Sequence, residues 1–187
     1  MDWTLTRERA DFAFIRISYG IKLDACAVRN WTKAKESGIP RGAYHYYEAD
    51  HDPVQQAATF VNALAGDYGE LPLVLDMEDT SIEARWTADE IQRMNSCLNE
   101  IARLTGLRPM IYTSAAWWEE HINANPVAYP LWLAGYPREW NETMRPTLPL
   151  AWSGYDFWQY SATGDAKHFG SSATAIDLNI FNGDALR

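Results

Sequence analysis

LPLVLDMED, residues 71–79, is an apolar run that ends in three carboxylates: Asp76, Glu78 and Asp79. Ionised carboxylates are costly to bury without partners, so a strand meant only for packing avoids them. Two readings stand side by side. Either the strand stops near Asp76 and the acids begin a solvated loop, or chemistry holds them at the mouth of a buried strand. On a strand, residues i and i+2 share a face, with α-carbons roughly 6.5–7 Å apart. Asp76 and Glu78 would then point one way, Met77 and Asp79 the other.

Outward from this stretch, short apolar runs alternate with helical patterns. FAFIRIS (12–18) reads as a strand and DACAVRNWTKAKESG (24–38) as a helix, capped by Asp24 and ended by Gly38. RGAYHYY (41–47) is a second strand. Asp52-Pro53 opens the next helix, with Val54, Ala57, Ala58, Val61, Leu64 and Ala65 on one face and Gly66 closing it. Thr87 with Glu90 forms a capping box for a long helix over 88–105. Its apolar stripe is Ile91, Met94, Leu98 and Ile101, and Gly106 ends it. RPMIYTS (108–114) is a fourth strand, followed by a short helix at 115–122. Beyond it the helical patterns fade, and YPLWLAGY (129–136), YDFWQYS (155–161) and AIDLNIF (175–181) read as strands.

Such alternation predicts a parallel sheet, doubly wound or closed as a barrel. The run LPLVL suits a strand covered on both faces. Neither the glycine fingerprint of dinucleotide folds nor a nucleotide-phosphate loop occurs. Strand ends carry acids and aromatics instead, and functional groups of parallel α/β folds collect at the carboxyl ends of strands. The pattern leans to a barrel. The 187 residues read as one domain, 1–187, with no repeat and no separate cell-wall-binding module.

Composition narrows the function. A net charge of −9 offers no Lys/Arg footprint for nucleic acid. No apolar run is long enough to span a membrane, and MDWTLTRERADF lacks the apolar stretch of a signal peptide. Cys26 and Cys97 sit in helical patterns, outside any metal-ligand spacing, and read as buried free thiols; no metal or cofactor is expected. Nine Trp and ten Tyr are many for one domain, and their flat apolar faces with polar tips suit sugar rings as well as cores.

Two carboxyls on one face suit glycosidic cleavage: one is protonated at the leaving oxygen, the other ionised beneath the oxocarbenium-like centre. Mutual repulsion raises one of the pair and divides the roles. The chain as a whole resembles glycoside hydrolase family 25, the Chalaropsis-type lysozymes. The resemblance runs through DW (2–3), FAFIRISYG (12–20), AKESGIPRGAYHYY (34–47), DPVQQAATF (52–60), LPLVLDMED (71–79), RPMIYTS (108–114), LWLAGY (131–136), FWQYS (157–161) and DLNIFNG (177–183).

The resemblance implies a TIM-barrel-like (β/α)5(β)3 α/β fold and an N-acetylmuramidase that cleaves the β-1,4 bond between N-acetylmuramic acid and N-acetylglucosamine in peptidoglycan. It places Glu78 as the general acid and Asp76 as the partner that orients the substrate's 2-acetamido group. Asp177, Tyr44, Tyr46, Tyr112, Trp132 and Tyr136 match its saccharide groove. His45 reads as a packed strand residue. The expected setting is the bacterial wall, reached at phage-induced lysis or through a leader outside this chain.

One segment of the family pattern is absent: a first strand, roughly G-I-D-V-S, whose Asp joins the pair. The seven strand candidates agree, since a closed eight-stranded barrel needs one more. Three expectations follow. The barrel stays open at its terminal strands, its exposed edge favours a homodimer, or catalysis is reduced. The competing reading is a catalytically impaired cell-wall saccharide-binding module on a truncated lysozyme barrel.

Overall fold

Strands form where the apolar runs lie, and helices fall between them. The computed structural model describes residues 1–78, 84–122 and 129–183. In chain order the elements are α1 (Trp3–Arg9), β1 (Ala13–Tyr19), β2 (Lys22–Leu23), α2 (Ala27–Ser37), β3 (Arg41–Tyr46), α3 (Pro53–Ala63) and β4 (Val74–Asp76). Then come α4 (Ala88–Thr105), β5 (Met110–Ser114), α5 (Ala115–His121), β6 (Leu131–Ala134), β7 (Phe157–Gly164) and β8 (Ile176–Phe181). One eight-stranded sheet runs β2-β1-β3-β4-β5-β6-β7-β8. Strands β1 and β3–β7 are parallel, and β2 and β8 are antiparallel to their neighbours.

The sheet curls into a half-barrel. Phe14 on β1 stacks on Trp132 of β6 at 4.2 Å, and Phe12 and Phe14 meet Phe157 of β7 edge-on at 5.2 and 5.1 Å. These strands are far apart in sheet order, so only curvature brings them together. Gly42, opposite Phe14 on β3, makes room: a Cβ there would lie 2.2 Å from the Phe14 ring. A second core fills the space between sheet and helices, where Ile17, Ala43, Leu73, Leu75 and Met77 pack against Phe60, Leu98 and Trp118.

Among the described residues no strand lies between β8 and β1, as the missing first segment predicted. The helix that would follow it is present. Asp2 caps α1, its carboxylate accepting from the Thr4 and Leu5 N–H groups. The helix is tied to the loop after β7 through Asp2 N–H to Gly170 O at 2.7 Å and Thr6 hydroxyl to Phe169 O at 2.7 Å. It therefore lies beside the seam where the sheet fails to close, and an edge-to-edge pairing of two copies would have to get past it. Five helices and then three strands without helices reproduce the expected architecture with its first strand absent.

Several boundaries differ from the sequence reading. The helix α1 and the two-residue β2, a hairpin partner of β1, were not expected. Asp24 is not the cap of α2: its carboxylate accepts from the Cys26 N–H at 2.8 Å in the preceding turn, Cys26 holds the cap position without a side-chain bond, and α2 begins at Ala27. Cys26 is consequently exposed, while Cys97 is buried as expected. Helix α3 ends at Ala63, and its buried face includes Gln56 and Phe60 rather than Val54, which is exposed. The capping box at Thr87 and the left-handed Gly106 stand as read.

Candidate active site

LPLVLDMED becomes only three residues of ladder, β4, because the chain leaves the sheet right after Asp76. The backbone stays pinned there. Tyr47 N–H donates to Asp76 O at 3.1 Å, and Met77 N–H donates to Tyr112 O at 2.8 Å. Alternation holds through this exit: Met77 packs in the helix-side core, while Asp76 and Glu78 face the barrel interior. Asp79 lies outside the described residues.

Asp76 is 5% exposed, and its Oδ1 has no hydrogen-bond partner among the described residues. Burial raises its pKa well above the usual carboxylate range; the Glu78 charge adds to this and Arg16 opposes it. Glu78 is half-buried, and burial raises it too, with the Tyr112 hydroxyl opposing and Asp177 adding. Asp177, on β8 at the rim, is raised by partial burial although one side stays open to solvent. Three acids thus share one end of the barrel interior, and Asp76 and Glu78 titrate as a linked pair.

They stand in a cavity of about 360 Å³ whose lining includes Tyr44, Tyr112, Trp132 and Asp177. Trp132 is buried, with its Nε1–H donating to Asn179 Oδ1 at 2.8 Å. Tyr46 reaches the site from β3, its hydroxyl donating to the Glu78 carbonyl at 3.4 Å. Tyr136, 57% exposed, stands just past β6 with its hydroxyl on Gln159. All eight predicted site residues therefore gather at one end of the half-barrel. The cavity also runs down the seam between β1 and β8, past Arg9 and Phe12 and under α1.

Two groups at the site were not singled out from sequence. Gln159 on β7 is buried and accepts from the Tyr112 hydroxyl at 2.8 Å and the Tyr136 hydroxyl at 2.5 Å. Arg16 pairs with Asp24 at 2.9 Å and is the cation whose field reaches Asp76 and Tyr44. A register shift between Arg16 and Ser18 re-aims β1 there, and such bulges recur beside active sites. The available signal was periodicity: Phe12, Phe14 and Arg16 alternate onto one face, as do Phe157 and Gln159. A polar residue in an apolar alternation was the clue.

His45 is a packed residue, as read. It is fully buried, bonded to Ser18 Oγ at 2.8 Å and to Gln56 Oε1 at 3.2 Å. The surface grouping of half-buried Glu48 and His51 with exposed Asp50 has the spacing to hold a cation, but Glu48 and His51 already lie 3.1 Å apart.

An acid pair at the end of a strand, in an aromatic-lined half-barrel, is the arrangement that glycosidic chemistry calls for. The chain belongs to glycosyl hydrolases family 25, whose profile matches residues 1–169. It is 34% identical to YegX of Escherichia coli O157:H7 over 94% of this chain and 60% of that protein, so it spans about three fifths of that relative. Against Lysozyme M1 of Streptomyces globisporus the identity is 29%, covering 100% of this chain and 65% of the relative. The solved bacterial lysozyme from Streptomyces coelicolor superposes with a TM-score of 0.83 at 29% identity, covering 99% of this chain and 88% of that one. A muramidase from Acremonium alcalophilum gives 0.79 at 27% identity, with 99% and 89% covered.

Proposed function

We propose that residues 1–187 act as one N-acetylmuramidase unit that cleaves the β-1,4 bond between N-acetylmuramic acid and N-acetylglucosamine in bacterial peptidoglycan. The observation that carries this reading is the buried Asp76, its Oδ1 without a hydrogen-bond partner among the described residues, beside a Glu78 held toward its protonated form. A module that only binds sugar has no use for two acids kept in this costly state. Glu78 gives its proton to the glycosidic oxygen as the bond to C1 breaks. Asp76 faces the developing positive charge and orients the 2-acetamido group whose oxygen closes on C1. Water then opens that intermediate, and Glu78 recovers its proton from the water. Tyr44, Trp132 and Asp177 line the groove for the sugar rings, with Tyr46 and Tyr136 at its edge.

No cofactor or metal enters this scheme. The place of action is the bacterial wall, whether the protein is released at lysis or exported. The open seam also carries the pairing proposal: a second copy adding its edge there would form a homodimer. Sedimentation velocity tests this, and a monomer at micromolar concentration sinks it.

The activity is tested by release of reducing ends from purified peptidoglycan by the parent protein and by Glu78→Gln. New N-acetylmuramic acid ends from the parent alone are the expected result. Sedimentation of both proteins with the wall, without cleavage by either, would overturn the enzyme in favour of the binding module.

A further inference from the structure

Two carboxamides inside the half-barrel are bonded at one end only. Gln159 on β7 and Asn179 on β8 stand opposite each other in the antiparallel register, so their side chains share a face. That face lines the cavity that holds the acids. Gln159 Oε1 accepts the Tyr112 hydroxyl at 2.8 Å and the Tyr136 hydroxyl at 2.5 Å, and Asn179 Oδ1 accepts the Trp132 Nε1–H at 2.8 Å. An indole nitrogen can only donate, so the atom it meets is the Asn179 oxygen and the Nδ2–H₂ must lie on the other side.

Both N–H₂ groups are left over. Neither has an acceptor among the described residues, although Gln159 is buried and both residues line the cavity. Other amides of the protein do donate. Gln56 Nε2 gives to the Glu48 and His51 carbonyls at 2.9 and 3.2 Å, and Asn182 Nδ2 gives to the Tyr155 carbonyl at 2.9 Å. Withholding a donor from its partner costs free energy, so two unmatched N–H₂ groups side by side in a cavity point to a ligand.

The ligand group they fit is a neutral acceptor. Asp76, Glu78 and Asp177 share the cavity, and any of them that ionises repels an anionic oxygen. A hydroxyl carries a proton of its own, whereas a carbonyl oxygen offers two lone pairs and nothing to donate. One amide carbonyl can therefore take a hydrogen bond from each of the two facing strands. In a glycan of N-acetylated sugars that carbonyl belongs to an acetamido group. Hydrogen bonds to the acetamido oxygen that closes on C1 would blunt its attack, so the group read here lies on a neighbouring sugar. We propose that Gln159 and Asn179 form an acetamido-reading subsite, which holds the carbonyl of an N-acetyl group on a sugar next to the one being cleaved. Tyr112, Tyr136 and Trp132 are its positioning residues, because they hold the two amide oxygens and so aim the nitrogens.

The ligand class rests on the glycan-cleaving function proposed above, so binding is read apart from cleavage. In the Glu78→Gln background, titration calorimetry compares the β-1,4 tetramer of N-acetylglucosamine with the β-1,4 tetramer of glucose. The acetylated tetramer is expected to bind more tightly. Asn179→Asp keeps an oxygen for Trp132, and Gln159→Glu keeps one for the two phenols, while each replaces the N–H₂ by oxygen. Each change should weaken the acetylated tetramer roughly fivefold and leave the glucose tetramer as it was. Should these variants fail to fold by circular dichroism, Asn179→Leu and Gln159→Met keep the volume and give the same comparison.

Equal binding of the two tetramers by Glu78→Gln alone, or binding of neither, would overturn the subsite before any amide is changed. So would an equal loss of both sugars in the amide variants, which marks a distorted groove, or no loss of either. Cleavage of peptidoglycan by the parent with an unchanged sugar preference in the variants removes the subsite and leaves the muramidase. A lost preference in a protein that cuts nothing removes the muramidase and leaves the subsite.

Discussion

Two buried polar clusters lie on opposite faces of the same sheet, and they are built in opposite ways. On the helix side, Ser18, His45 and Gln56 are all fully buried and every group is matched. Gln56 Oε1 accepts from Glu48 N–H at 2.9 Å, and Gln56 Nε2 donates to the carbonyls of Glu48 and His51 at 2.9 and 3.2 Å. Because that oxygen can only accept, His45 Nε2 must carry the proton, and Nδ1 accepts from Ser18. On the interior face, Asp76 is buried with an orphaned oxygen, next to a Glu78 and an Asp177 that all resist ionisation. A satisfied polar cluster holds strands β1 and β3 to α3. An unsatisfied one stores the means to do chemistry, at a cost in stability.

The largest effect should come from breaking the interior cluster. Glu78→Gln or Asp76→Asn is expected to lower the cleavage rate by roughly 10²–10⁴-fold. Thermal stability at pH 7 should rise for Asp76→Asn. A carboxyl whose folded pKa is raised adds stability only while protonated and loses it as pH climbs through that pKa, so removing the charge removes the penalty. A calorimetric scan showing a lower melting temperature for Asp76→Asn would contradict the reading of Asp76 as an unpaired charge.

The helix-side cluster should respond in the opposite sense. His45→Leu leaves the Ser18 hydroxyl unmatched and takes one of the two hydrogen bonds from the Gln56 oxygen, and is expected to cost about 3 kcal/mol in urea unfolding, while the folded fraction keeps near-parental activity. Parental stability itself should depend on pH through this residue. Burial lowers His45 from its ordinary 6.5 to about 4. The unfolded chain therefore binds an extra proton between those values, and stability falls as pH drops through that window. The drop is roughly 3 kcal/mol for a change of this size, and His45→Gln should abolish it. Ser18→Ala is the mildest test, expected to cost about 1–2 kcal/mol with no change in the pH profile of cleavage.

How much of this was legible depended on whether the signal was local. The acid pair was, because a strand's period of two places Asp76 and Glu78 together whatever surrounds them. So were the caps at Asp52 and Thr87, which are contacts between near neighbours in sequence. Gln56 was not: within its own helix it looks like a solvent residue, and only the arrival of β3 opposite explains its burial. Gln159 was hidden in the same way, since its partners Tyr112 and Tyr136 lie 47 and 23 residues away. Helix α1 escaped notice because its anchors, Phe169 and Gly170, are at the other end of the chain.

The sequence by itself determined the order of strands and helices and the shared face of the two acids. These are properties of periodicity and spacing, which the backbone enforces residue by residue. Only the tertiary structure decided which polar groups are satisfied and which are left exposed to a substrate. Burial and hydrogen bonding are set by segments distant in sequence, and they, not residue type, separate the structural histidine from the chemical carboxylates.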